Sequence, residues 1–144
     1  MKKIYFAAPL FNEMELERNR KYADIFRSWG YEVYLPQESA GLSAQIISQG
    51  EDKYKVSEYI FQTDLNGIKS SDILIFFLDG RVPDEGACVE LGMAYAWGKK
   101  CIGYKTDDRC LDFTGMDNLF IEGCMNFNIA HNLDELKNQL ELQK

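Results

Sequence analysis

The chain has 144 residues, a formal net charge of −7, and a composition that is 46% hydrophobic and 13% aromatic. That length predicts a single domain over residues 1–144, with enough apolar residues for a core of ordinary size. Only 16 basic residues stand against 23 acidic ones, and they are scattered, so neither nucleic acid nor an anionic membrane surface is an expected partner.

The start, MKKIYFAAPLF, has too short an apolar run for a signal peptide and reads as a first strand, Lys3–Ala7, ending in Ala7-Ala8-Pro9. A helix follows. Asn12 and Glu15 have capping-box spacing, Leu16, Tyr22, Ala23, Phe26 and Trp29 form its apolar stripe, and Gly30 ends it. Tyr31–Leu35 is the next predicted strand, stopped by Pro36, and residues 36–50 read as a loop with one helical turn. A second helix is predicted from Asp52 to Lys69, with Val56, Tyr59, Ile60, Thr63, Gly67 and Ile68 on one face. Ile73–Leu78 is the most hydrophobic run and suits a central strand covered on both faces.

After a loop at Asp79–Asp84, a helix is predicted over Glu85–Trp97, ended by Gly98. Cys101–Tyr104 is a fourth strand, Lys105–Asp117 is polar and irregular, and Phe127–Ala130 is a fifth strand. Asn132 and Glu135 open a final helix to about Gln143. This alternation predicts an α/β fold: a flavodoxin-like or Rossmann-like parallel five-stranded sheet with helices on both faces. Ligands in such sheets dock beyond the carboxyl ends of the strands, here Ala7–Phe11, Pro36–Ala40, Asp79–Asp84 and Lys105 onward. No segment has membrane-spanning length, and Cys88, Cys101, Cys110 and Cys124 lack CxxC pairing. Free thiols in a cytoplasmic protein, with no metal bound, are the expectation.

Three carboxylates stand out. Glu90 lies in PDEGACVELG, among small and apolar residues, with Gly86 and Ala94 one helical turn to either side. It is either a solvated helix glutamate or a nucleophile or base facing a pocket. Asp64 falls on the inward stripe of its helix and is either a water-bonded edge residue or a second inward carboxylate. A pair of this kind suits glycosyl chemistry, one member attacking and the other handling a proton. Asp84 is placed to cap its helix, and it also stands at a strand's carboxyl end, where it would accept a sugar hydroxyl and repel a phosphate. AAPLFN follows the first strand in place of GxGxxG, so the dinucleotide fingerprint is missing, and with no GxxxxGK[ST] a P-loop is excluded.

KIYFAAPLF, TDLNGIKSSDILI, DGRVPDEGACVELGMAYAWGKK and DNLFIEG together resemble the nucleoside 2-deoxyribosyltransferase family over nearly the whole chain. The resemblance implies roles residue by residue. Glu90 is the nucleophile, Tyr5 orients it, and Asp64 is the active-site acid near the nucleobase. Asp84 holds the sugar, and Asn118, from a neighbouring subunit, reaches the 5′-hydroxyl. Phe120 replaces a frequent methionine, and Gln37 or Glu38 contacts the base. Ala7, Phe11 and Gly86 complete the implied substrate-binding set. The substrates implied are 2′-deoxynucleosides and free nucleobases in nucleoside salvage, with no cofactor. A homo-oligomer with shared sites is implied, whether dimer, tetramer or hexamer. The DGRVPDEGA loop favours exchange of both purines and pyrimidines. Two alternatives stand beside transfer: a hydrolase cleaving 2′-deoxynucleoside 5′-monophosphates, and a non-catalytic nucleotide-binding sensor. Asp84 weighs against the first, because a dianionic phosphate beside it would be repelled.

Overall fold

The computed structural model describes residues 1–39, 49–50, 52–110 and 113–142. Its strands are β1 (Lys3–Ala7), β2 (Glu32–Tyr34), β3 (Ile73–Phe77), β4 (Lys100–Tyr104) and β5 (Ile129–Ala130). The helices are α1 (Glu13–Ser28), α2 (Lys53–Ser70), α3 (Glu85–Ala96), α4 (Leu119–Cys124) and α5 (Leu133–Glu141). Residues 36–39 are also helical. The strands form one five-stranded sheet in the order β2-β1-β3-β4-β5, and all pairings are parallel. This is the expected flavodoxin-like arrangement, whose order reverses between β1 and β3 and opens a crevice at their carboxyl ends.

Alternation along the strands builds two cores. Ile4 and Phe6 of β1, with Ile73, Ile75 and Phe77 of β3, face α1 and α5 and pack with Ala23, Phe26, Leu136 and Leu140. Tyr5 and Ala7, with Leu74 and Phe76, face the other way and pack with Ile68 of α2 and Ala87, Leu91 and Ala94 of α3. The central strand is therefore apolar at every position because both of its faces are covered. The helix ends follow local chemistry. Asn12 Oδ1 accepts from Glu15 N at 3.0 Å, while the Glu15 carboxylate takes Phe11 N at 2.8 Å. Asn132 and Glu135 repeat the device at α5. Gly30 and Gly98, at φ 89° and 70°, supply the left-handed turns that end α1 and α3.

Several elements differ from the sequence expectation. Tyr59 is exposed; the inward face of α2 runs through Val56, Ile60, Thr63, Gly67 and Ile68. The predicted fifth strand shrinks to Ile129–Ala130, because Asn126 and Phe127 adopt left-handed conformations (φ 51° and 58°) that close the preceding helix. That helix, α4, was not expected; Asn118 caps it by accepting from Phe120 N at 2.9 Å. The part of the predicted 36–50 loop at 40–48, and Gln143 at the end of the predicted last helix, lie outside the described residues.

A buried ion pair anchors the segment after β4. Lys105 Nζ lies 2.9 Å from Asp117 Oδ2, with both side chains almost wholly buried. Asp117 N in turn donates to Glu122 Oε1 of α4 at 2.6 Å. The loop after β4 is also tied to the loop after β3: Asp79 accepts from Thr106 N at 2.6 Å, and Asp107 accepts from Gly80 N at 2.9 Å. These bonds fix the frame that carries Asp84 and Asn118. Removing one member of the buried pair leaves a desolvated charge alone. Lys105→Met is therefore expected to lower unfolding stability by about 3 kcal/mol, and the added change Asp117→Leu is expected to recover most of that loss. Urea unfolding of the two variants checks both expectations.

Candidate active site

Tyr5 points from β1 into the α2–α3 layer and is fully buried. Its hydroxyl donates to Glu90 Oε1 on α3 at 2.6 Å, the short distance typical of a charge-assisted bond. β1 and β2 pair with Tyr5 opposite Tyr34, and the two rings stack with centroids 5.2 Å apart and planes at 12°. The Tyr34 hydroxyl donates to Asp64 Oδ1 on α2 at 2.8 Å. Gly67 makes this reach possible: a Cβ there would stand 2.8 Å from the Tyr34 ring carbons, so only glycine lets α2 lie so close. The stacked tyrosines thus hold one carboxylate each.

Asp64 and Glu90 line one cavity of about 290 Å³. Phe61, Leu65, Ile68, Val89 and Met93 give it apolar walls, and Gly86 leaves room beside the carboxylate. Burial is the main cause that raises the Glu90 carboxyl to about 7; Asp64 and Asp84 add to it, while the Tyr5 hydrogen bond opposes it. Burial likewise raises Asp64 above the usual carboxylate range, against the Tyr34 bond. Tyr34 is pushed up to about 12, chiefly by burial, and Tyr5 is raised by burial and by Glu90, so both phenols remain hydrogen-bond donors at neutral pH. Glu90 therefore exchanges its proton near neutrality, and a second carboxyl stands in the same cavity, a pairing that suits nucleophilic attack coupled to proton transfer.

Asp84 caps α3 by accepting from Ala87 N at 2.8 Å. It also lines a second cavity of about 580 Å³, beyond the ends of β1 and β3, with Phe11, Arg18 and Arg109. The two readings of this residue are therefore compatible. Gly86 lines the Glu90 cavity, and a Cβ there would meet Asp84 Oδ2 at 3.2 Å. Ala7 is buried at the end of β1, beneath the site. A larger concavity of about 880 Å³ is lined wholly by α1 residues and holds none of Glu90, Asp64 or Asp84, so its size carries no chemistry.

Other expected site residues are not brought to the carboxylate pair within this chain. Gln37 is buried, with Oε1 accepting from Asn19 Nδ2 at 3.1 Å and Nε2 donating to Leu16 O at 2.8 Å, which ties it to α1. Glu38 pairs with Arg27, also of α1, at 2.9 Å. Neither lines the cavity that Asp64 and Glu90 share. Asn118 and Phe120 stand on the exposed start of α4, with Phe120 86% exposed. Tyr34 was not singled out from the sequence; the signal was its place in the predicted strand Tyr31–Leu35, one strand away from Tyr5. Among the described residues, no group of three or more His, Cys, Asp or Glu side chains could hold a metal ion, and no helix is long and apolar enough to cross a membrane.

Known proteins share this fold. A conserved protein from Enterococcus faecalis V583 superposes with a TM-score of 0.79 at 28% identity, covering 100% of this chain and 99% of the other. A 2-deoxyribosyltransferase from Bacillus psychrosaccharolyticus gives a TM-score of 0.72 at 25% identity, covering 94% and 90%. A CMP N-glycosidase from Clostridium botulinum shares the fold, with a TM-score of 0.60 at 21% identity over 99% and 100% of the two chains. Among proteins with curated descriptions, none matches significantly. The family model described as nucleoside 2-deoxyribosyltransferase matches residues 4–134. The chain belongs to the nucleoside 2-deoxyribosyltransferase family.

Proposed function

We propose that the protein transfers the 2-deoxyribosyl group between nucleobases of 2′-deoxynucleosides, through an ester formed on Glu90. The observation that carries this reading is the pairing of Glu90, gripped by Tyr5 at 2.6 Å, with Asp64 in one apolar-walled cavity. Tyr5 occupies Oε1, so Oε2 is the attacking atom. It bonds to C1′ as the C1′–N bond breaks, and the bond's electron pair leaves with the base. The proton the departing nitrogen needs comes from Asp64. An incoming base then attacks C1′, the ester breaks back to the Glu90 carboxylate, and the base's N–H proton returns to Asp64. Two inversions retain the configuration. The missing 2′-hydroxyl makes the cation-like transition state easier to reach. Apolar walls support transfer over hydrolysis, because they favour a stacked base over water while the ester waits.

On this reading Asp84 accepts a sugar hydroxyl. The active assembly is a homo-oligomer in which Asn118 of a second copy closes the site. Exposed Phe61 and Val89 at the cavity and exposed Leu119 and Phe120 beside Asn118 are the apolar surfaces such packing would cover. The direct test incubates the protein with thymidine or deoxyinosine, with and without adenine, and separates the products. Deoxyadenosine with little free deoxyribose is expected; free base and sugar regardless of adenine would move the reading to a hydrolase, and no reaction at all would leave only nucleotide binding.

Glu90→Gln is expected to reduce exchange by roughly a thousandfold or more. Its effect on stability has the opposite sign. A carboxyl whose folded-state value is raised to about 7 favours folding while it is protonated, and that contribution is lost as pH rises through about 7. Because the unfolded value is 4.5, the loss develops between 4.5 and about 7, so the variant should match the parent near pH 4 and exceed it by about 3 kcal/mol at pH 8. Thermal unfolding at the two pH values reads this directly. Asp84→Ser keeps a capping oxygen but removes the charge. It is expected to relax discrimination against 5′-monophosphates by about tenfold, read as the ratio of kcat/KM values; an unchanged ratio would remove Asp84 from sugar recognition.

A further inference from the structure

We infer that Tyr34 is a positioning residue for the Asp64 carboxyl, holding Oδ1 so that Oδ2 is the atom that meets the nucleobase. This rests on the transfer reading above for the role of Asp64, but the geometry stands by itself. The Tyr34 hydroxyl lies 2.8 Å from Asp64 Oδ1. The ring is fixed on one side by stacking on Tyr5 and on another by the backbone of Gly67, where even a Cβ would collide. Ser39 Oγ lies 3.2 Å from the same hydroxyl. With the Tyr34 proton committed to Asp64, Ser39 is the donor in that bond.

The two tyrosines divide the labour. Tyr5 holds the group that attacks carbon, and Tyr34 holds the group that moves a proton. In the forward step Asp64 Oδ2 gives its proton to the base nitrogen as the C1′–N electron pair leaves. The phenol on Oδ1 then stabilises the carboxylate that forms. In the return step the proton comes back to Oδ2 from the entering base. The ionisable groups facing Asp64 and Tyr34 are Tyr5 from β1 and Glu90 from α3, and Lys3 Nζ lies 5.8 Å from the Tyr34 ring centroid. Only the Tyr34 hydroxyl bonds Asp64 directly among the described residues.

Tyr34→Phe tests the inference, because it keeps the stacked ring and removes only the hydroxyl. Two substrates separate proton handling from attack. Deoxyinosine needs its leaving nitrogen protonated; p-nitrophenyl 2-deoxy-β-ribofuranoside does not, since the C1′–O electron pair leaves on a stable phenolate. With adenine as acceptor, the variant is expected to lose roughly tenfold in kcat on deoxyinosine and far less on the nitrophenyl substrate. The Asp64 carboxyl, followed by carbon-13 NMR and assigned with Asp64→Asn, is expected to titrate at higher pH in the variant, because a bond that favours its ionised form is gone. Equal losses on both substrates, no loss on either, or an unmoved Asp64 titration would overturn the inference. If the parent protein transfers no glycosyl group from either compound, the transfer reading fails, and the Asp64 titration alone still decides whether Tyr34 controls that carboxyl.

Discussion

The hydrogen bond from Tyr5 to Glu90 is the constraint on which the rest of the site depends. A carboxylate in an apolar interior is costly unless a partner holds it. Here the partner comes from the sheet rather than from a basic side chain, so Glu90 is oriented without being neutralised. An arginine or lysine in that place would lower the carboxyl's affinity for a proton and blunt it as a nucleophile. A phenol leaves the charge in place and occupies one oxygen only. The parallel sheet provides the phenol at the right depth: β1 alternates Tyr5 and Ala7 toward the α2–α3 layer, and the order reversal between β1 and β3 opens space above them.

The second carboxylate is governed by the same layer. Tyr34 stands opposite Tyr5 in register, and Gly67 brings α2 down onto its ring, so Asp64 is delivered to the same cavity from a different helix. Two acids in one low-polarity space raise each other's cost of ionisation. Burial dominates for both; it raises Asp64 above the usual carboxylate range and Glu90 to about 7, where Asp64 and Asp84 also contribute. A site so arranged exchanges protons readily at neutral pH while its walls remain apolar. The chain's net charge of −7 is consistent with neutral ligands, since free deoxynucleosides and nucleobases carry no charge that the surface would repel.

Much of this was legible in the residues. The alternation of strands and helices, the caps at Asn12 and Asn132, and the stops at Gly30 and Gly98 are local signals, and they appear where those signals placed them. Glu90 and Asp64 were visible as carboxylates on otherwise apolar helical faces. What was not legible depends on tertiary register. The part Tyr34 plays rests on which residue of β2 lies opposite Tyr5, a one-residue matter that no spacing reveals. Helix α4 is six residues long, too short for a periodic signal, and its cap Asn118 read only as a motif asparagine. Gln37 and Glu38 carry suitable chemistry, but their bonds go to α1, and the preference of a polar side chain for one neighbour over another is a packing outcome.

The central claim is a covalent bond between Glu90 and the sugar. The most direct test is mass spectrometry of the protein after incubation with a 2′-deoxynucleoside and rapid acid quench, without an acceptor base. A mass increase equal to one 2-deoxyribosyl group, mapped to the peptide that contains Glu90 and discharged by adding adenine, is the result this account predicts. Base release with no adduct, or an adduct on any other residue, would contradict it.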